Sequence, residues 1–229
     1  MPIEASPLLD SLRKALDYVE KVAIPPPSTL PERIAAGAMR RLPSLLRAIL
    51  GLLEDEAISV TEVDVLIRVV LEMAITTAWV RKDEGRAGQF RDAGIEMARK
   101  WRSAMEKDGF VLPDDARRAF DAFLAEGSGA SNMPDLSTRA LKVGQNYAES
   151  YDFSYRRLST AVHHDYRLQS LLERTATERS RWFTVHEAVA STMFLLGPAV
   201  LVLGLEDGEQ IVVGLQRALA ASLGKPSPL

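Results

Sequence analysis

Apolar residues recur along most of this chain at intervals of three and four, the spacing that gathers them on one face of an α-helix, and runs of alternating β-branched residues are scarce. The pattern predicts an all-α fold. A first helix is expected over 8–22, ending before Pro25, Pro26 and Pro27, which fix φ and lack a backbone donor. A second begins near Ser28 or Thr29, whose hydroxyls can cap exposed N–H groups, and runs past Pro43, where it can kink, to residue 53. A third, 60–82, capped by Ser59 or Thr61, is apolar nearly all round, which predicts burial on more than one side. A polar helix over 86–107 and a short one over 114–124 follow, and the run E-G-S-G-A-S-N-M-P at 126–134 is the clearest loop. Residues 135–162 read as one long helix or two, 167–181 as a charged helix, and two more helices precede the K-P-S-P-L tail, with His186 and Glu187 expected on the surface in a first turn.

Composition narrows the class. With 229 residues and 47% hydrophobic content the chain can bury one large core, so a single domain is expected: a helix and Pro-rich connector (1–27), a core bundle (28–205), and a C-terminal helix with its tail (206–229). Cys is absent, which removes disulfides, thiolate nucleophiles and cysteine-containing metal sites and suits a reducing cytoplasm. The start M-P-I-E-A-S lacks the basic-then-apolar pattern of an export signal, so a cytoplasmic location is expected. A net charge of -3 argues against coating nucleic acid by bulk electrostatics, although six arginines between Arg156 and Arg181 make a local basic patch. The 18 uncharged residues 188–205 reach the lower limit for a bilayer span. Ser191, Thr192, Gly197 and Pro198 and the lack of flanking Lys or Arg favour a core helix instead, kinked or broken at Pro198, and no stable membrane insertion is expected.

Two polar stripes carry the candidate chemistry. Asp64, Arg68, Glu72 and Thr76 recur every four residues on the apolar third helix, which predicts an Arg68–Glu72 ion pair or a stripe that meets another helix. The second lies in Y-D-F-S-Y-R-R-L-S-T-A-V-H-H-D, residues 151–165. Tyr151, Tyr155, Leu158 and Val162 form an apolar face there, and Asp152, Arg156, Ser159 and His163 a polar one beside it. If the stripes meet, Glu72 orients or charges His163 and raises its pKa while an arginine holds an anion. Arg156 and His163 are seven apart, as are Arg157 and His164, so each pair is nearly eclipsed on a helix. Arginine neutralises non-bridging phosphate oxygens and histidine moves protons near neutral pH, so transfer of an RNA 2'-hydroxyl to its own phosphate needs no metal. Adjacent His163, His164 and Asp165 point about 100° apart, and no metal site is read there. No G-x-G-x-x-G, Walker loop or G-x-S-x-G elbow is present, so no cofactor is expected. Trp79, Trp101 and Trp182 are expected to be packing residues.

The string Y-R-R-L-S-T-A-V-H, with the upstream L-I-R-V-V-L-E-M-A-I-T-T-A-W-V-R-K-D, resembles a widespread bacterial family of unknown function whose members are similar to HEPN-type helical domains. The motifs cover residues 60–92 and 147–165. The resemblance implies a HEPN-like core with added N- and C-terminal helices, a homodimer, and RNA or a nucleotide phosphate as substrate, cleaved without metal by an arginine and a histidine with four to six residues between them. On this chain those residues are Arg156, with six residues between it and His163, or Arg157, with five, and Tyr155, Ser159, His164, Arg68 and Glu72 are in support. The active pattern carries a small polar residue directly after its arginine, whereas Arg156 is followed by Arg157 and Arg157 by Leu158. Other relatives are inactive, so the resemblance also implies the alternative: a non-catalytic interaction or regulatory module of defence or toxin-antitoxin type whose Arg/Glu/His network is structural.

Overall fold

The structure, a computed structural model, describes residues 6–54, 60–81, 83–127, 132–155 and 178–224, and every regular element among them is helical. In chain order these are α1 (Ser6–Lys21), α2 (Leu30–Glu54), α3 (Val60–Val80), α4 (Glu84–Lys107), α5 (Asp114–Ala125), α6 (Leu136–Val143), α7 (Gln145–Ser150), a π-helical turn (Tyr151–Tyr155), α8 (Glu178–Leu203) and α9 (Gly208–Ser222).

The α1 residues Leu8, Leu12, Ala15 and Val19 repeat every three or four positions, and that stripe is buried against α2, α8 and α9. Burying side chains of this kind contributes about 1.5–3 kcal/mol for each large one. The start of α2 is a reciprocal cap. The Glu32 carboxylate accepts from Ser28 N at 2.6 Å and Thr29 N at 3.2 Å, while Thr29 Oγ1 accepts from Glu32 N at 3.3 Å. These bonds hold the Glu32 carboxyl below its ordinary range. At the other end of α2 the Arg181 guanidinium donates to the Leu53 carbonyl, one of the acceptors a helix terminus leaves open. The all-round apolarity of α3 has the predicted consequence: α8 and α2 cover part of it and α6 another.

α8 lies at the centre, packed on α3, α2, α9 and α1. It is long and apolar enough to cross a bilayer, and 61% of its most apolar window is buried inside the bundle. Of the kink or break expected at Pro198, the break does not occur, since the helix runs unbroken from Glu178 to Leu203. A proline has no N–H for the carbonyl four residues earlier, which here is Phe194. Tyr147 fills that gap: its hydroxyl donates to the Phe194 carbonyl at 3.0 Å, with the two rings 4.9 Å apart. Nor do His186 and Glu187 open a helix on the surface. They lie within α8, His186 half-buried beside the Trp182 ring and Glu187 buried, because the polar pair interrupts an apolar run that begins a turn earlier with Trp182 and Phe183. Burial holds His186 below its ordinary pKa.

As far as Tyr155, the last described residue there, the stretch read as one or two helices from 135 onward holds α6 and α7, joined at Gly144 and followed by the π-helical turn. Asp135 caps α6 by accepting from Thr138 N at 2.8 Å. Gly144 has φ 149 and ψ 171, a region essentially closed to side-chain-bearing residues, so the chain turns there and nowhere nearby. α4 starts two residues earlier than expected, at Glu84, because Asp83 accepts from Arg86 N and serves as its cap. Only Ala87 and Ile95 of α4 are buried, and no residue of α5 is.

Candidate functional site

The α3 stripe faces α6 and the π-helical turn. Tyr151 and Tyr155 stack at 5.0 Å with 17° between their planes, and with Tyr147 and Leu136 they pack over Leu71, Ile75 and Ala140. The apolar face read for this segment is therefore formed as far as Tyr155. Arg68 donates through Nη2 to the Tyr155 hydroxyl at 2.9 Å, and its guanidinium carbon lies 4.9 Å from that ring's centroid. Higher on the stripe, Thr76 Oγ1 accepts from Arg139 Nη1 at 2.7 Å. Asp64, at the lower end, is buried with Thr184 Oγ1 3.4 Å away.

The Arg68–Glu72 ion pair expected from i,i+4 spacing is not formed. Glu72 is exposed, and Arg68 turns to Tyr155, where a phenol and an aromatic face replace the carboxylate. The charge on Glu72 acts instead on Arg139. Burial pulls the Arg139 guanidinium below its ordinary value, while Glu72, Tyr155 and Asp135 pull it back up. Arg139, only 5% exposed, is the residue that sequence reading missed. Its signal was present: it sits among Leu136, Ala140 and Val143 on the apolar face of a short helix, a position that demands a buried partner.

Neither arginine meets a carboxylate in ion-pair range among the described residues, and the Nε atom of each is buried without a hydrogen-bond partner. Arg139 also lies 5.9 Å from the centroid of the buried Trp79 ring. Glu72 and Thr76 open onto a cavity of about 520 Å³ between α2, α3 and α4, whose wall includes Arg41, Met73 and Phe90. Of the other predicted residues, Arg156, Arg157, Ser159, His163 and His164 lie outside the described residues. Trp79 is a packing residue as expected, at 2% exposure. Trp101 is not, at 67%, because α4 runs beyond the surface that could cover it.

The fold and this arrangement define an all-α bundle protein whose third helix carries a polar face packed on an arginine and a tyrosine from later in the chain. The chain belongs to a family of unknown function, DUF5677, which matches residues 32–179. That span takes in the α3 stripe, the α4–α5 arm, α6, the π-helical turn and the whole Y-R-R-L-S-T-A-V-H string; α1, nearly all of α8, and α9 lie outside it. No curated protein and no solved structure matches the chain.

Proposed function

We propose that the chain is a HEPN-like, metal-independent ribonuclease or nucleotide-phosphate-processing protein, working as a cytoplasmic homodimer. One observation carries the reading: the Arg68–Tyr155 hydrogen bond fixes the residue directly before Arg156 against the α3 stripe. In the reaction, His163 takes the proton of an RNA 2'-hydroxyl and the oxygen attacks the adjacent phosphorus. The bond from phosphorus to the 5'-oxygen breaks, and that oxygen leaves with the proton that His163 took and now returns. Arg156 or Arg157 neutralises the phosphorane oxygens, with Ser159 and His164 in support and Glu72 favouring the imidazolium. The products are a 2',3'-cyclic phosphate and a 5'-hydroxyl. The test is RNA cleavage in EDTA: the wild type is expected to leave these ends, and His163→Ala to fold normally and cleave nothing. Cleavage by the variant at the wild-type rate, or none by the wild type at any pH, rejects the reading.

A second observation favours a second reading. Arg139 is buried between Thr76 and Trp79, which is how a network that only specifies packing is built, and a non-catalytic regulatory or defence-type module would need no more. It turns over no RNA, and its His163→Ala variant melts at a lower temperature than the wild type.

A further inference from the structure

We infer that the cavity of about 520 Å³ between α2, α3 and α4 is a binding site for a small zwitterion with an apolar body, a free apolar or aromatic α-amino acid. Its size lies within the range of small-molecule pockets, roughly 300–1,000 Å³, and its lining has their composition, an apolar wall with a few polar groups set into it. The packing gives the cavity two ends. Leu30 and Ile34, at the start of α2, gather with Phe90 against Trp79 and Val80 at the end of α3, so α2 and α3 run antiparallel. Arg41 is seven residues on from Ile34, about 10 Å along α2, and Glu72 is eight residues back from Val80, about 12 Å along α3. The guanidinium and the carboxylate therefore stand at one level, both exposed at the mouth, and Ile34 and Phe90 form the apolar end.

An arginine and a glutamate at one level of a cavity would be expected to pair, and these two do not. Among the described residues Arg41 makes no ion pair or hydrogen bond, and Glu72 acts only at a distance, on the charge of Arg139. An anion alone would be repelled by Glu72 and a cation alone by Arg41, whereas an amino acid brings its carboxylate to the first and its ammonium to the second. Deeper in the cavity stand two buried hydroxyls, Thr76 at 5% and Thr77 at 1% exposure. Thr76 accepts from Arg139 and keeps its own O–H able to donate, and Thr77 makes no hydrogen bond among the described residues. Buried hydroxyls are ordinarily bonded, so an unused one on a cavity wall points to a ligand that supplies the partner. Gly37 lines the same cavity. Glycine weakens the interior of a helix, and no neighbour requires it here, since a Cβ built on Gly37 meets nothing within 4 Å; its effect is to leave room. The ligand is independent of the ribonuclease reading, with which the cavity shares only Glu72.

The test titrates L-phenylalanine, L-methionine and L-leucine into the full chain by calorimetry and thermal melting, beside phenylpropionate, which lacks the ammonium, and phenethylamine, which lacks the carboxylate. The amino acids are expected to raise Tm, and phenylalanine to bind more tightly than either truncated analogue. Arg41→Gln and Glu72→Gln, both at exposed positions, should each weaken phenylalanine binding by about three- to tenfold, the range between a solvent-screened ion pair and a charged hydrogen bond. Gly37→Leu puts a side chain into the cavity and should abolish binding while melting no lower than the wild type. If that variant does not fold, Arg41→Gln decides. Phenylalanine affinity equal in the wild type, Arg41→Gln and Glu72→Gln, or retained in a folded Gly37→Leu, overturns the site, as does a Tm that none of the amino acids moves at millimolar concentration. An analogue that binds as tightly as phenylalanine overturns the zwitterion.

Discussion

The central bundle of α1, α2, α3, α8 and α9 and the arm of α4 and α5 are built from helices of similar kind and have opposite fates. Every bundle helix closes its apolar stripe against at least two neighbours, whereas the arm leaves Met97, Trp101, Phe110 and Val111 in solvent. The difference is one of length. α4 has 24 residues, about 36 Å of helix, and its buried contacts with α2 and α3 fall near its start, where Ala87 and Phe90 pack beside Trp79 and Val80. Amphipathicity in a sequence therefore announces a face that could be buried, and only the lengths of the neighbours decide whether it is.

The contrast can be broken most forcefully in the bundle. Leu46→Ala, at a fully buried position of α2, should cost about 2–5 kcal/mol, read as a lower denaturant midpoint at unchanged slope; a loss below 1 kcal/mol would mean the bundle is as loose as the arm. A smaller effect follows from the proline of α8. Tyr147→Phe strands the Phe194 carbonyl and should cost about 1–3 kcal/mol, whereas in a Pro198→Ala background, where residue 198 regains its N–H, the same change should be nearly neutral. A double-mutant cycle without coupling would show that the phenol does not replace the missing donor.

A pH series sharpens the comparison without any substitution in the arm. The folded state holds His186 below its unfolded pKa of about 6.5 through burial, so the unfolded chain takes up protons first as pH falls. This group's contribution is zero above that value and destabilising below it. Stability should drop between pH 7 and pH 5, and His186→Leu should flatten that drop; an unchanged slope would assign the effect elsewhere. The smallest effect belongs to the arm: Trp101→Ser should shift stability by no more than about 0.5 kcal/mol. A larger loss would show that something covers Trp101 in solution.

Much of the bundle was legible because it follows from periodicity and local chemistry. The cap at Ser28 and Thr29, the two-sided burial of α3 and the break before Pro25 each depend on a few neighbouring side chains. What escaped depends on distant groups. Nothing local to Pro198 shows that a tyrosine 51 positions earlier serves its orphaned acceptor, and nothing local to Arg68 shows that Tyr155 displaces Glu72. The candidate site was legible in half: Arg68, Glu72 and Tyr155 were named from spacing and two of them meet. Arg139 was passed over although its place among Leu136, Ala140 and Val143 marked it, because nothing on that eight-residue helix says that α3 will close over it.

The five-residue turn Tyr151–Tyr155 works as a spacer in the winding of the chain. A π-helical turn winds less per residue than an α-helix, yet losing one residue there would still swing the Tyr155 phenol nearly a quarter of the way around the axis and away from Arg68. A change in chain length at this point, even with every side chain retained, would be more disruptive than most substitutions, and related sequences should tolerate exchange within the turn far better than deletion.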